Sequence, residues 1–343
     1  MSNLQLGLAM LGGVLLAAVV AYNAWVTRKN APRKAQSTEP GLPDGADERL
    51  EPDFTDPLPP HADPLAAADR RPGLDALIDS IAPLTLDVEV SGDAILAAMP
   101  GTRRVGSKPF AIEAQHAQTG DWESPRPGQR YSAVQAGVQL ANRHGPLNEI
   151  EFSEFVMKAQ NLADAIGANA EFPEMRDEVL RARELDQFAS THDAQLGFTL
   201  RAVQAAWSPG YVQQHAARLG FVPGALPGRM VLPGAEPGHA PLLSLLFDTQ
   251  AALAEDPEQS ALREVSLLLD VAHVPRSAQP YVRMRETAQA LGQAMDGQLT
   301  DDQGQRLSAD TLDGIGADLE TLYEALEARE LHAGSVLARR LFS

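Results

Sequence analysis

Residues 101–109, Gly-Thr-Arg-Arg-Val-Gly-Ser-Lys-Pro, imitate a phosphate-binding loop, but that chemistry requires Lys ahead of Ser or Thr, and here Ser107 precedes Lys108. Pro109 removes an amide that would donate to phosphate. The stretch reads as a basic turn in which Arg103, Arg104 and Lys108 form a rare positive cluster. The eight histidines show none of the i,i+4 or His/Glu spacing of a zinc site. Asp301-Asp302 with Gly304 lacks the alternating ligands and distal Glu of a calcium loop and reads as a hairpin turn. Glu113 has no evident carboxylate partner, and no Gly-x-Ser-x-Gly elbow occurs. With no Cys in the chain, thiol nucleophiles, thiolate metal sites and disulfides are all excluded. No catalytic, cofactor or metal residue is nominated; the expectation is a protein that is not an enzyme and has no small-molecule substrate.

The residues with a shared geometric purpose are of another kind. Two segments nearly repeat five residues, Ser244-Leu245-Leu246-Phe247-Asp248 and Ser266-Leu267-Leu268-Leu269-Asp270. Side chains alternate along a strand, so Leu245, Phe247, Leu267 and Leu269 are expected to face helices. That leaves Ser244, Leu246, Asp248, Ser266, Leu268 and Asp270 on the other side, with Thr199 and Arg201 of an earlier strand at the same parity. A sheet face with leucines at its middle and carboxylates at its edge suits an amphipathic peptide carrying Lys or Arg. The competing expectation is that a loop or a neighbouring domain covers the leucines.

The elements that must position these residues follow from periodicity. Leu74, Leu77, Ile78 and Ile81 predict a short amphipathic helix, and Leu84 to Val90 alternate as a half-buried strand. Phe110 and Ile112, then Val134 to Leu140, give further strands. Phe152, Phe155, Ala159, Leu162 and Ile166 step along a helix ended by Gly167, and a second helix follows Pro173. The order recurs: a strand at 196–201, a helix opened by Ser208-Pro209, strands at 229–232, 242–249 and 264–271, then helices over 281–295 and 312–326. The segments at 158–168 and 287–297 match in place, which predicts a degenerate duplication. The fold class is α+β: two related two-layer units with mainly antiparallel sheets.

Ahead of them, Leu6 to Val26 form an uncharged apolar run followed by Arg28, Lys29, Arg33 and Lys34. At ~1.5 Å per residue the run covers roughly the 30 Å of bilayer hydrocarbon. The basic flank predicts a single-pass protein with its large C-terminal part in the cytoplasm. Residues 35–73 alternate Pro with Asp and Glu and predict a disordered linker. The expected plan is an anchor at 1–34, the linker at 35–73, a first unit at 74–189, a second, peptide-binding unit at 190–335 and a tail at 336–343. A net charge of −18 excludes nucleic acid as a partner, because its phosphates would be repelled.

From Gln195 to Ala328 the chain resembles the C-terminal domain of the ZipA family of bacterial division proteins, through "GFTLRAV", "YVQQHAARLGF", "SLLFD", "EVSLLLDVAHVP" and "RETAQALGQAMDGQLTDDQGQRLS". The apolar span and Pro-rich acidic linker are similar to that family's plan. The resemblance implies capture of the C-terminal tail of the tubulin-like FtsZ on the open sheet face, linking the division ring to the inner membrane. By position it places Leu246, Asp248 and Leu268 in the groove and Arg306 at its rim. Loops before Phe221 and near Pro227 differ in length, which leaves Leu226 open as a groove residue. The family domain occurs singly, whereas two units are expected here. The alternative is a membrane-anchored scaffold whose two units pack together and bind no peptide.

Overall fold

The computed structural model of the chain describes residues 33–34, 73–234, 240–256, 260–301 and 303–343. The run at 6–26, expected to span a membrane, and the linker up to residue 72 lie outside them. Among the described residues no helix is long and apolar enough to cross a membrane. The chain divides into two compact units, one holding 73–193 with Ala325–Ser343, the other Ala194–Glu324 with Arg33 and Lys34. Both are mixed α+β with antiparallel sheets.

The first unit runs β1 (Asp79–Leu86), β2 (Val90–Ser91), α1 (Gly92–Ala98), β3 (Arg104–Val105), β4 (Lys108–His116), β5 (Trp122–Glu123), β6 (Arg130–Gln139), β7 (Ala141–Asn142), β8 (Gly145–Pro146), α2 (Glu149–Ile166), β9 (Ala168–Ala170) and α3 (Met175–His192). Its main sheet has the order β3-β4-β6-β1-β9. Helix α2 starts where the Asn148 side chain accepts from the Ile150 and Glu151 amides while Glu151 reaches back, a capping box. It stops at Gly167, whose φ of 70° suits a residue without Cβ. Phe152, Phe155, Ala159 and Leu162 are buried on its inner side, and the Phe155 ring meets Phe110 of β4 edge-on at 6.1 Å. Burial of each phenylalanine and of Leu162 contributes roughly 1.5–3 kcal/mol relative to exposure.

The second unit runs β10 (Gln195–Ala202), α4 (Pro209–Arg218), β11 (Val222–Pro223), β12 (Arg229–Leu232), β13 (Leu243–Leu246), α5 (Thr249–Ala252), β14 (Glu264–Asp270), α6 (Pro280–Met295), β15 (Gly297–Thr300) and α7 (Ala309–Ala328). Its sheet has the order β11-β12-β13-β14-β10-β15. From β12 to β15 this is the permutation of the first sheet, with every neighbour antiparallel in both. Ser208 caps α4 by accepting from Tyr211, with Pro209 in the first turn. Met284, Ala288, Leu291 and Met295 of α6 are buried beside Phe198, Leu200, Leu267 and Leu269.

Two expectations change. The predicted helix over 74–81 is a turn leading into β1: Ile78, Ala82 and Leu84 enter the core, and Arg181 donates to the Ala76 and Asp79 carbonyls. Leucine and isoleucine spacing over eight residues fits that arrangement as well as a helix turn. Residues 336–343, expected as a tail, form α8 (Val336–Leu341), and Ala338, Leu341 and Phe342 are buried in the first unit.

Candidate functional site: the open face of the second sheet

Pairing registers place the side chains of the second sheet. Val222, Val231, Ser244, Leu268 and Gly197 form one row across the strands, and Arg229, Leu246, Ser266, Thr199 and Thr300 form the next. Residues at the opposite parity, Phe198, Leu200, Leu245, Leu267 and Leu269, are buried against the helices. The two rows are therefore the helix-free side. On it Leu268 is 37% exposed, Val222 44%, and Leu246 and Val231 are half-buried. Opposite Leu268 stands Gly197, which contributes no side chain, so the leucine lacks a cross-strand neighbour on that side.

Polar groups frame this strip. Arg229 donates to Ser244 Oγ at 3.1 Å. Arg201 pairs with Glu264 at 3.4 Å, and its guanidinium lies against Gly304 of the hairpin after β15. Thr199 is buried, and its carbonyl accepts from Thr300 Oγ1 at 3.2 Å. Asp270, at the end of β14, has a carboxylate oxygen 3.1 Å from His273 Nδ1. Asp248 has left the strand and caps α5 by accepting from Gln250 at 2.7 Å.

The nominated residues thus fall into three places. Leu246 and Asp248 line a depression of about 350 Å³ with Glu264 and Ser266. Thr199, Arg201, Leu268 and Asp270 lie on the adjoining rows. Arg306 bridges to Thr300 in the hairpin and lines a different depression of about 440 Å³ with Val203, Leu299 and Arg285. Sequence reasoning missed Gly197, Arg229 and Val231. Strand parity could have found the last two, since the strand at 229–232 was read but its faces were not assigned. Leu226 sits between β11 and β12 and is 62% exposed.

Other nominated groups are structural. Lys108, expected within a surface cluster, is buried; it donates to Ser107 Oγ at 2.6 Å and Asn142 Oδ1 at 3.1 Å, and burial holds its ammonium pKa down. Asp301 closes a turn, its side chain accepting from Gln305 at 2.7 Å. Arg33, from the basic flank of the apolar run, pairs alongside Trp207 in parallel: its amide donates to Ala206 and its carbonyl accepts from Ser208. Its guanidinium reaches the Met295 carbonyl and Asp296 at 3.1 and 3.0 Å, at the C-terminal end of α6, where a cation is favoured.

The second unit is thus an antiparallel sheet with helices on one side and a partly exposed apolar strip on the other. Residues 251–317, from α5 into α7, match the family described as ZipA, C-terminal FtsZ-binding domain, and in that stretch the chain is ZipA-like. The match includes Leu268, Asp270 and Arg306 and ends short of Thr199, Arg201, Leu246 and Asp248 on the N-terminal side. It is a protein-binding family, not an enzyme family. No curated protein matches the chain.

Proposed function

We propose that the chain is a membrane-anchored cell-division adaptor that binds the C-terminal tail of FtsZ on the open face of its second sheet. The observation that carries this reading is the coincidence of the family match with β14, the strand that presents Leu268 beside Leu246 on the helix-free side. A tail peptide laid over the rows would cover Val222, Val231, Leu246 and Leu268 with its apolar residues. Glu264, Asp270 and Asp248 would meet its basic ones. The apolar run 6–26 and its basic flank support an anchor at 1–34 in the bacterial inner membrane, with the linker 35–73 and both units in the cytoplasm. Many copies on one membrane facing a polymer raise the effective concentration, so modest affinity per site suffices.

Calorimetry with a synthetic FtsZ tail peptide tests it. Changing Leu246 and Leu268 together to Asp should abolish binding while the circular dichroism spectrum stays that of the parent. Undiminished binding would remove the face from consideration.

A further inference from the structure

The two sheets can be laid strand on strand. Gly167 and Asp296 both close a helix in the left-handed region, at φ 70° and 56°, and each leads into an edge strand paired with its unit's first strand. Ala168 pairs with Leu86, and Gly297 with Ala202. Carried across the ladders, the pairs Ile81–Gly137–Ala111 correspond to Gly197–Leu268–Ser244. One step along, Gln135–Glu113 corresponds to Ser266–Leu246. Gly137 and Glu113 therefore hold the points of the first sheet that Leu268 and Leu246 hold in the second.

The first face is covered over Gly137 and Glu113, beside an open depression of about 290 Å³ lined by Ala111, Glu113, Gln139 and Arg340. A Cβ on Gly137 would run into the branched end of Leu74, which lies over it. The Leu74 amide donates to Glu113 Oε1 at 3.0 Å, and the other Glu113 oxygen accepts from Gln135 at 2.9 Å. The Gly73 carbonyl accepts from Arg340 at 2.9 Å. The same guanidinium pairs with buried Asp79, and the Arg340 carbonyl accepts from Gln139 at 2.8 Å. Asp79, Gln139, Gly137, Gln135 and Glu113 share the helix-free parity. A leucine side chain, its own amide and the carbonyl before it each have a partner there.

We propose that the helix-free face of the first sheet is a docking face, occupied in cis over Gly137 and Glu113 by Gly73-Leu74 and latched by Arg340. A covalently attached ligand works at an effective concentration in the millimolar range, so a short, weak segment is enough to keep the face filled. The proposal stands without the FtsZ reading, because its ligand is the chain's own sequence.

The test uses the full chain. Hydrogen exchange should show the Leu74 amide at least ~10-fold slower than an unstructured amide. Gly137→Leu, which puts a side chain where Leu74 rests, should remove that protection and leave the β4–β6 amides slow. Leu74→Ser should then take up acetyl-Gly-Leu-Asp-amide in trans at ~10 mM, detected by NMR at the Gly137 amide, while the parent and Gly137→Leu do not. Fast exchange at Leu74 in the parent would overturn the cis occupancy. No uptake by a folded Leu74→Ser would overturn the docking face and leave only packing. If Leu74→Ser does not fold, Leu74→Ala carries the binding arm with the same two outcomes.

Discussion

Leu268 stands opposite Gly197 across the β10–β14 ladder, while its sequence neighbour Leu267 stands opposite Phe198 with its side chain in the core. Adjacent leucines thus separate recognition from stability. Leu268→Asp should lower the urea midpoint far less than the same change at Leu267, because Leu268 is already 37% exposed. Leu267→Asp should unfold the second unit, because it buries a carboxylate without a partner. Equal loss of stability in both would place Leu268 in a core.

Asp79 supplies a pH dependence. Burial pushes its carboxyl pKa above the ordinary 3.8, against the opposing pull of Arg340 and with a smaller push from Asp75. The folded form therefore holds the proton more tightly than the unfolded form. Stability falls as pH rises from 3.8 through the raised value, and the penalty is complete above it. Asp79→Asn should flatten that part of a urea-midpoint profile relative to the parent; a parallel pair of curves would refute the assignment.

Arg33 tests the clip at the second unit. Its pair with Asp296 is partly solvated and worth well under ~1 kcal/mol by itself. Arg33→Glu should nonetheless put like charges together at the end of α6 and speed exchange of the Ser208 amide, which donates to the Arg33 carbonyl. Exchange mass spectrometry over 206–208 reads this directly.

Glu174, the residue that precedes helix α3 at its N-cap, makes no side-chain capping bond. Glu174→Ser should supply an acceptor for the first-turn amides and raise the first unit's stability by about 0.5–1 kcal/mol, seen as a higher thermal midpoint.

Much of this architecture was legible. Alternation located β10, β13 and β14, Ser208-Pro209 marked the start of α4, and Gly167 marked the end of α2, because those signals are local. The parts that were not legible depend on distant partners. Leu74 looks like a helix residue until Gly137 is brought beneath it, and Lys108 looks like a surface cation until Asn142 encloses it. Asp248 kept its parity in the sequence pattern but left the strand one residue after Leu246 had ended it, to cap α5. Residues 336–343 carry Leu337, Leu341 and Phe342 yet read as a tail, because their partners Asp79 and Gln139 lie some two hundred and more positions earlier.

That last arrangement makes the first unit discontinuous in the chain. The polypeptide lays down 73–193 of the first unit, goes on through Ala194–Glu324 of the second, and returns to the first with Ala325–Ser343. During translation, Asp79 and Gln139 must wait uncovered while Ala194–Glu324 is made, until Arg340 arrives.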